Sequence, residues 1–294
     1  MDITVIGAGS MGHGIAQVSA MAGHDVRLND VDEERIEAGL GGIESNLQGG
    51  VERDKITESE RDAALARITP DADFDSAVAD AGLVIEAVPE DMKLKKNVFT
   101  DIEASAPADA IIGSNTSSLS VTELASTLDR PGRAVGLHFF NPPHIMNLVE
   151  IIIAEQTAEH VEEAASDYVE RLEKEAVVVR DSAGFASSRL GVALGLEAIR
   201  MVESGVASVE DIDTAMEVGY SHPMGPLELT DLVGLDVRLD IAEYLREELG
   251  ERFRPPQLLK KKVRAGKLGK KSGEGFYVWE DGEAVAPADD SGSQ

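Results

Sequence analysis

The chain has 294 residues, 43% of them hydrophobic, and its 55 acidic and 27 basic side chains give a formal net charge of −28. This length is enough for two domains with a sizeable core, and the negative charge argues against nucleic acids and anionic membranes as partners. No apolar run reaches the roughly 20 residues of a membrane span, no signal peptide is evident, and there are no cysteines to form disulfides. These features favour a globular protein of the cytoplasm.

The acidic residues are spread over predicted helices rather than gathered in one tail. One interpretation is a halophilic protein, whose carboxylates keep the surface solvated in molar salt, where the screening length falls to about 3 Å. The other interpretation is an ordinarily acidic cytosolic protein. The two differ in low salt, where only the halophilic protein is expected to unfold.

The first thirty residues place a glycine-rich turn between two predicted strands. Residues 3–6 are apolar, Gly-Ala-Gly-Ser-Met-Gly follows at 7–12, and a helical pattern at 15–21 leads to a second strand at 26–28. Such a turn offers backbone N–H groups and the positive end of a helix dipole to a pyrophosphate. An acid after the second strand can hold adenosine ribose hydroxyls and repel a 2′-phosphate, which favours NAD over NADP. The expected NAD-binding residues are Gly7, Gly9, Ser10, Met11, Gly12 and Asp30.

The rest of the first domain alternates strands and helices, as a mostly parallel, doubly wound sheet requires. Further strands are predicted at 83–88, 110–113, 134–139, 148–153 and 176–179. A helix is predicted at 32–48, and the polar segment after it, 49–67, is longer than a βαβ crossover needs. That insertion is interpreted either as a helical hairpin that meets substrate or as a surface decoration.

Polar residues follow the predicted strands where those strands end, at Glu90, at 114–118 and at His138. The carboxyl ends of parallel strands share one sheet edge, where ligands bind, so we expect these residues to converge. Glu150 lies inside the next apolar run, and if the chain folds back it can hold the imidazole of His138 in one tautomer, as a general base requires. The alternative is a satisfied core histidine beside an unrelated glutamate. Convergence favours the catalytic interpretation.

Ser117 is a candidate to hydrogen-bond a substrate oxygen. The alternative role is the N-cap of the following helix. Ser120 and Glu123 make a better capping box for that helix, which favours a functional role for Ser117.

From residue 184 the apolar period becomes helical, with helices predicted at 184–203, 209–218, 226–249 and 256–265. The expected architecture is therefore an α/β Rossmann domain over 1–182 followed by an all-α domain over 183–280. The acidic segment 281–294 is expected to be a disordered tail.

Basic residues are scarce, and two groups of them stand out, at 93–96 and 260–271. A chain this acidic needs local positive charge to hold a polyanion such as a nucleotide or coenzyme A. For 260–271, pairing with acidic helices or with a partner subunit is an equally open interpretation. For Lys95 we favour ligand contact.

Five motifs together resemble the 3-hydroxyacyl-CoA dehydrogenase family, in its short 3-hydroxybutyryl-CoA type. No single motif is specific, but the combination is, and it spans residues 2 to 279. The motifs are Gly-Ala-Gly-Ser-Met-Gly-His-Gly-Ile-Ala-Gln at 7–17, Ser-Asn-Thr-Ser-Ser at 114–118, His-Phe-Phe-Asn-Pro at 138–142, His-Pro-Met-Gly-Pro at 222–226 and Gly-Glu-Gly-Phe-Tyr at 273–277.

The resemblance implies a homodimer that oxidises (S)-3-hydroxyacyl-CoA to 3-oxoacyl-CoA with NAD⁺, reversibly, as in fatty acid β-oxidation. It implies that His138 is the general base, that Glu150 orients and supports it, and that Ser117 and Asn141 contact the substrate. Further NAD contacts are implied at Glu90, Lys95 and Asn115. Coenzyme A contacts are expected at Asn46, Arg53 and Lys55, and no metal is expected.

One position departs from the family. The family usually has Asn before Arg in the first helix of the second domain, whereas here Ser188 precedes Arg189. A hydroxyl is shorter than an amide and cannot donate and accept through separate atoms, but Ser188 is kept in the expected catalytic set. Two alternatives stay open: a dehydrogenase of a small hydroxy acid without coenzyme A, and a catalytically reduced NAD-binding structural protein of the same fold.

Overall fold

The computed structural model describes residues 1–288 of the chain. The chain divides into two compact units, one formed by Met1–Ser182 and the other beginning at Ala183. Among the described residues, no helix combines the length and the apolar character needed to cross a bilayer.

An eight-stranded sheet lies at the centre of the first unit. Its strands are β1 (Asp2–Ile6), β2 (Asp25–Asn29), β3 (Ile68–Pro70), β4 (Leu83–Glu86), β5 (Ile111–Ser114), β6 (Ala134–Phe139), β7 (Leu148–Ile153) and β8 (Glu175–Arg180). They lie in the order β3-β2-β1-β4-β5-β6-β7-β8, and every neighbouring pair is parallel except β6 with β7. The strand order reverses between β1 and β4, which is where doubly wound sheets bind ligands.

The inner strands are buried on both faces, and this explains their sequences. Every residue of β4 and β6 is buried. A parallel strand covered on both faces reads as a continuous apolar run rather than an alternating one, so the sequence predicts these strands. The three-residue strand β3 carries no such run and was not predicted.

Seven α-helices belong to the first unit: α1 (Ser10–Met21), α2 (Glu33–Glu52), α3 (Glu58–Leu65), α4 (Phe74–Val78), α5 (Met92–Ser105), α6 (Val121–Ala125) and α7 (Glu159–Arg171). Most begin at a side-chain cap, which satisfies an N–H of the first turn. The Oγ of Ser120 accepts from Glu123 N at 3.1 Å, so Ser120 caps α6 as expected.

The polar insertion at 49–67 is a helical hairpin formed by the end of α2 and by α3. The Thr57 hydroxyl accepts from Glu60 N, and the Glu60 carboxylate accepts from Thr57 N, a capping box that starts α3. Contact of this hairpin with substrate remains a prediction.

The second unit packs five α-helices around its own apolar core: α8 (Ser187–Glu203), α9 (Val209–Tyr220), α10 (Pro226–Val233), α11 (Leu235–Leu249) and α12 (Gln257–Arg264). The prediction of one helix over 226–249 is wrong. Gly234, with φ +104°, separates α10 from α11, a backbone conformation that glycine adopts without strain.

A small antiparallel hairpin, β9 (Tyr277–Glu280) and β10 (Glu283–Pro287), follows the helices. The buried Asp231 carboxylate anchors it by accepting from the backbone N–H groups of Phe276 and Tyr277, both at 2.8 Å. The prediction of a disordered tail from residue 281 is therefore wrong for this hairpin. Residues 289–294 lie outside the described part of the chain.

Candidate active site

The glycine-rich turn after β1 contains three glycines with different structural roles. Gly7 has φ +103°, and a methyl group added there would lie 2.7 Å from Ala87 O. A methyl group at Gly12 would lie 1.7 Å from Gly7 O, whereas one at Gly9 would meet nothing within 4 Å. Gly7 and Gly12 are therefore required by the turn itself, and Gly9 leaves open space beside the start of α1.

That space suits the pyrophosphate of a dinucleotide. Helix α1 begins at Ser10 and Met11, and its N-cap, Gly9, supplies no side-chain hydrogen bond to the first turn, so backbone N–H groups there can meet an anion. The Asp30 carboxylate follows β2 and accepts from Ala8 N at 2.7 Å, which fixes it against the turn. The expected NAD residues therefore lie together, and they fit the cofactor.

His138 and Glu150 lie directly opposite each other across β6 and β7. His138 is 5% exposed and Glu150 is 1% exposed. The Nδ1 atom of His138 lies 2.8 Å from Oε2 of Glu150. A carboxylate at Nδ1 favours the tautomer with its proton on that atom, which places the accepting lone pair on Nε2. The Phe140 ring packs against the imidazole, with 4.6 Å between ring centroids. This pair has the arrangement that a general base requires.

Ser117 lies half-buried in the turn after β5. The Glu90 carboxylate holds this turn: its Oε1 accepts from Thr116 Oγ1 at 2.7 Å, from Ser117 N at 2.9 Å and from Ser118 N at 3.2 Å. Glu90, expected as an NAD contact, thus binds the protein's own turn, and its contact with NAD stays a prediction.

Lys95 is 1% exposed, and protein atoms surround its ammonium group. Nζ lies 2.7 Å from Glu86 Oε1, 3.1 Å from Val88 O and 3.4 Å from Glu90 Oε2. Sequence reasoning missed Glu86, although an acid inside a buried apolar run is a signal, because buried charges need partners. These partners already occupy the donors of Lys95. Ligand contact by Lys95 stays a prediction.

Asn115 and Asn141 follow neighbouring strands of the sheet. Asn115 Oδ1 accepts from Phe139 N at 2.9 Å, which ties the ends of β5 and β6 together. Asn141 is exposed, and its Oδ1 lies 3.4 Å from Ser10 Oγ. Lys174, which sequence reasoning also missed, donates to the carbonyls of Pro143 and Met146 at 2.7 Å each and holds the loop that begins at Asn141.

The three expected coenzyme A contacts lie on or beside the helical hairpin. Asn46 Nδ2 donates to Gln17 Oε1 at 3.1 Å, so its amide already binds α1. Arg53 and Lys55 are exposed.

The electrostatics of His144 show that positive charge gathers near Arg53. Burial lowers the pKa of His144, and the nearby charges of His13, Arg53 and Lys174 lower it further. Arg53 therefore belongs to a locally positive region of an otherwise acidic chain.

Ser188 belongs to the second unit, where it is the second residue of α8 and half-buried. Its expected part in catalysis stays a prediction.

At least three of the seven basic residues in the run 260–271 pair with acidic residues of the second unit. Lys260 Nζ lies 2.8 Å from Glu243 Oε1, Lys271 Nζ lies 2.5 Å from Asp236 Oδ2, and Lys267 pairs with Glu274. Of the two interpretations, these contacts favour pairing with acidic residues. In the described part of the chain, no group of three or more His, Asp or Glu side chains is placed to hold a metal ion.

Two family models match the chain, one on each unit. The model described as 3-hydroxyacyl-CoA dehydrogenase, NAD binding domain, matches residues 2–182, and the model described as 3-hydroxyacyl-CoA dehydrogenase, C-terminal domain, matches residues 184–279.

Individual relatives agree with these models. A 3-hydroxybutyryl-CoA dehydrogenase from Bradyrhizobium diazoefficiens is 43% identical over 284 residues, 96% of this chain and 97% of that protein. The crystal structure of FadB2 from Mycobacterium tuberculosis has a TM-score of 0.92 at 44% identity and covers 95% of this chain and 98% of that one. The structure of (S)-3-hydroxybutyryl-CoA dehydrogenase PaaH1 from Ralstonia eutropha has a TM-score of 0.91 at 37% identity and covers 95% and 99%.

Proposed function

The chain belongs to the 3-hydroxyacyl-CoA dehydrogenase family, and we propose that it oxidises (S)-3-hydroxyacyl-CoA to 3-oxoacyl-CoA with NAD⁺, reversibly. The observation that carries this proposal is the buried contact of 2.8 Å between His138 and Glu150, close to the end of β6 at the ligand-binding edge of the sheet. Relatives named 3-hydroxybutyryl-CoA dehydrogenases favour a short acyl chain.

The turn after β1 is proposed to hold the cofactor. Backbone N–H groups at Gly9, Ser10 and Met11 would bind the pyrophosphate, and Asp30 would hold the adenosine ribose. Bound NAD⁺ supplies the hydride acceptor for the reaction. Three further residues are proposed to border the same site. Glu90 and Lys95 follow β4 in the chain, and Asn115 follows β5.

His138 is proposed to take the hydroxyl proton of the substrate at Nε2 as the C–H bond at C3 breaks. Glu150, at Nδ1, keeps the proton-accepting lone pair on Nε2 and stabilises the imidazolium that forms. Both side chains are buried, and electrostatic support of this kind is stronger where water is excluded. In the reverse direction, the imidazolium returns the proton to the 3-oxo oxygen.

Two polar side chains of the first unit are proposed to contact the substrate near C3. The Ser117 hydroxyl would bind the reacting oxygen, with Asn141 lining the site. Ser188 is proposed to donate a hydrogen bond where the family usually has an amide. Coenzyme A is proposed to contact the helical hairpin, at positions that include Asn46, Arg53 and Lys55.

The test is NADH consumption with acetoacetyl-CoA in molar KCl, for the wild type and His138→Ala. We expect turnover in the wild type and a loss of about 10²-fold or more in the variant. The control is His160→Ala, which removes an exposed histidine of α7 and should leave turnover unchanged. Turnover that survives the loss of His138 would remove the proposed base.

The same assay separates the two alternatives. NADH binding without turnover of any substrate would support a structural NAD-binding protein. Turnover of a small hydroxy acid, with no effect of free coenzyme A on binding, would support a dehydrogenase that does not use coenzyme A.

We also propose that the protein is a homodimer of the cytoplasm. Several apolar side chains of the second unit are exposed, including Leu190 at 70%, Val218 at 79% and Tyr220 at 75%, and contact between subunits would cover such residues. Light scattering in molar KCl should give the mass of two chains, and one chain would contradict the proposal. Cell fractionation tests the location.

A further inference from the structure

A lysine and a glutamate form an ion pair inside the first unit, behind the turn that carries Ser117. We infer that Glu86 is a positioning residue: through Lys95 and Glu90 it fixes the turn at 116–118 and, with it, Ser117. This inference rests on the proposed function, because it assigns Glu86 a role in the same reaction.

The Glu86 carboxylate is fully buried and has a partner at both oxygens. Oε1 accepts from Val88 N and from Lys95 Nζ, each at 2.7 Å, and Oε2 accepts from Ser114 Oγ at 2.7 Å. Glu86 ends β4 and Ser114 ends β5, its neighbour in the sheet. The carboxylate therefore joins two strand ends to helix α5 at the ligand-binding edge.

Lys95 carries this connection outward. Its Nζ, bonded to Glu86, also lies 3.4 Å from Glu90 Oε2. The Glu90 side chain is 39% exposed, whereas those of Lys95 and Glu86 are at most 1% exposed. One buried ammonium therefore stands between a fully buried carboxylate and a carboxylate at the surface of the site.

Glu90 completes the connection at the turn. Its second oxygen accepts from the backbone of Ser117 and Ser118 and from the hydroxyl of Thr116, so the Glu90 carboxylate fixes three consecutive residues. A shift of Lys95 would let Glu90 move, and the turn would move with it.

Stability alone does not require this arrangement. Well-packed apolar residues of similar volume often stabilise a protein as much as a buried ion pair does, or more. A buried pair with all its hydrogen bonds formed does favour one geometry over others, and catalysis depends on such geometry, since a misplacement of about 1 Å can cost about 10²-fold in rate. The buried pair of Glu86 and Lys95 is placed to orient the turn that carries Ser117.

The experiment is a double-mutant cycle on kcat, with Glu86→Gln in the wild type and in Ser117→Ala. Glutamine keeps the shape of the side chain and removes its charge. If Glu86 acts through Ser117, Glu86→Gln should lower kcat about tenfold to a hundredfold in the wild type and less than about threefold in Ser117→Ala. Both variants should still bind NADH, because the turn after β1 and Asp30 are untouched.

The matched control is Glu123→Gln, which breaks the exposed ion pair of the neighbouring lysine. Lys96 Nζ lies 2.6 Å from Glu123 Oε1, with side chains 32% and 51% exposed. This substitution should leave kcat and NADH binding unchanged, because exposed pairs contribute little.

Two results would overturn the inference. One is an equal loss in both backgrounds, which would mean that Glu86 acts independently of Ser117. The other is an unchanged kcat in folded Glu86→Gln, which would leave the pair a purely structural role. If Glu86→Gln does not fold, Glu90→Gln at the exposed end gives the same cycle on kcat, measured at saturating NADH because Glu90 is also a proposed NAD contact. Absence of turnover in the wild type would instead contradict the proposed function.

Discussion

Replacing Glu150 by glutamine should slow the reaction strongly while the fold persists. The glutamate lies opposite His138 in the β6–β7 register, is 1% exposed, and contacts the imidazole at 2.8 Å. Glutamine has nearly the same shape, so the core around it should pack as before. What is lost is the negative charge beside the imidazolium that forms in the proposed transition state.

The size of the effect follows from this burial. A hydrogen bond to a charged group contributes roughly 1.5–3 kcal/mol, and each 1.36 kcal/mol corresponds to about tenfold in rate. Loss of the charge alone should therefore cost about 10-fold to 10²-fold in kcat. If the glutamine amide donates to Nδ1 instead, it favours the wrong tautomer, and the loss can approach about 10⁴-fold.

The assay is NADH consumption with acetoacetyl-CoA, together with NADH binding measured by fluorescence and unfolding in urea. The control is Glu175→Gln, an exposed acid on the adjacent strand β8, which should leave kcat unchanged. We expect KM for NADH to stay within about threefold in both variants, since neither residue borders the turn after β1. An unchanged kcat in folded Glu150→Gln would refute the role assigned to this carboxylate.

Further predictions concern the glycines, pH and salt. Gly12→Ala should destabilise the fold by about 3 kcal/mol, because the added methyl group would lie 1.7 Å from Gly7 O. Gly9→Ala should weaken NADH binding at unchanged stability, because a methyl group there would meet no protein atom within 4 Å. Urea unfolding tests the first substitution, and titration with NADH together with urea unfolding tests the second. Burial lowers the pKa of His24 below its ordinary value of 6.5, so the unfolded state binds a proton more readily than the folded state. The free energy of unfolding should therefore fall as the pH drops through 6.5. His24→Phe should reduce that fall in urea unfolding, and an unchanged fall would contradict it. A halophilic chain should unfold near 0.1 M KCl and refold in molar KCl, followed by circular dichroism; equal stability in both would favour an ordinarily acidic protein.

The sequence predicts the fold well where burial of a strand or helix produces a regular pattern of apolar residues. The inner parallel strands are continuous apolar runs, and the glycine turn between β1 and α1 has its own steric requirements. The wrong predictions fall where the apolar pattern does not distinguish between two structures. Nothing in the apolar period over 226–249 distinguishes one helix from two, because the break depends on the backbone of Gly234. The strand at 283–287 is short, and the hairpin that it forms with β9 is anchored by Asp231, which lies 45 residues before Phe276.

The placement of the candidate residues along one sheet edge was predictable, but their contacts were not. The rule that parallel strand ends share one sheet edge places Asp30, the turn at Ser117 and His138 along that edge, with β1, β4 and β5 between β2 and β6. Sequence spacing cannot show that Lys95 turns inward to a buried acid, because that contact depends on the packing of α5 against β4. Lys174 was missed because it binds carbonyls far from it in sequence. Glu86 carried a signal, an acid inside a buried apolar run, but the sequence does not show its partners.

The position of Glu150 follows from the one antiparallel pair in the sheet. Direct cross-strand neighbours on one face place their side chains side by side, and the register pairs His138 with Glu150. A parallel β7 would need a crossover of a dozen or more residues, whereas the antiparallel return needs only 140–147. Both members of the pair therefore lie on rigid, buried strands, while Asn141 belongs to the loop. A base supported from a strand keeps its orientation before substrate arrives, and this is the preorganisation that proton transfer requires.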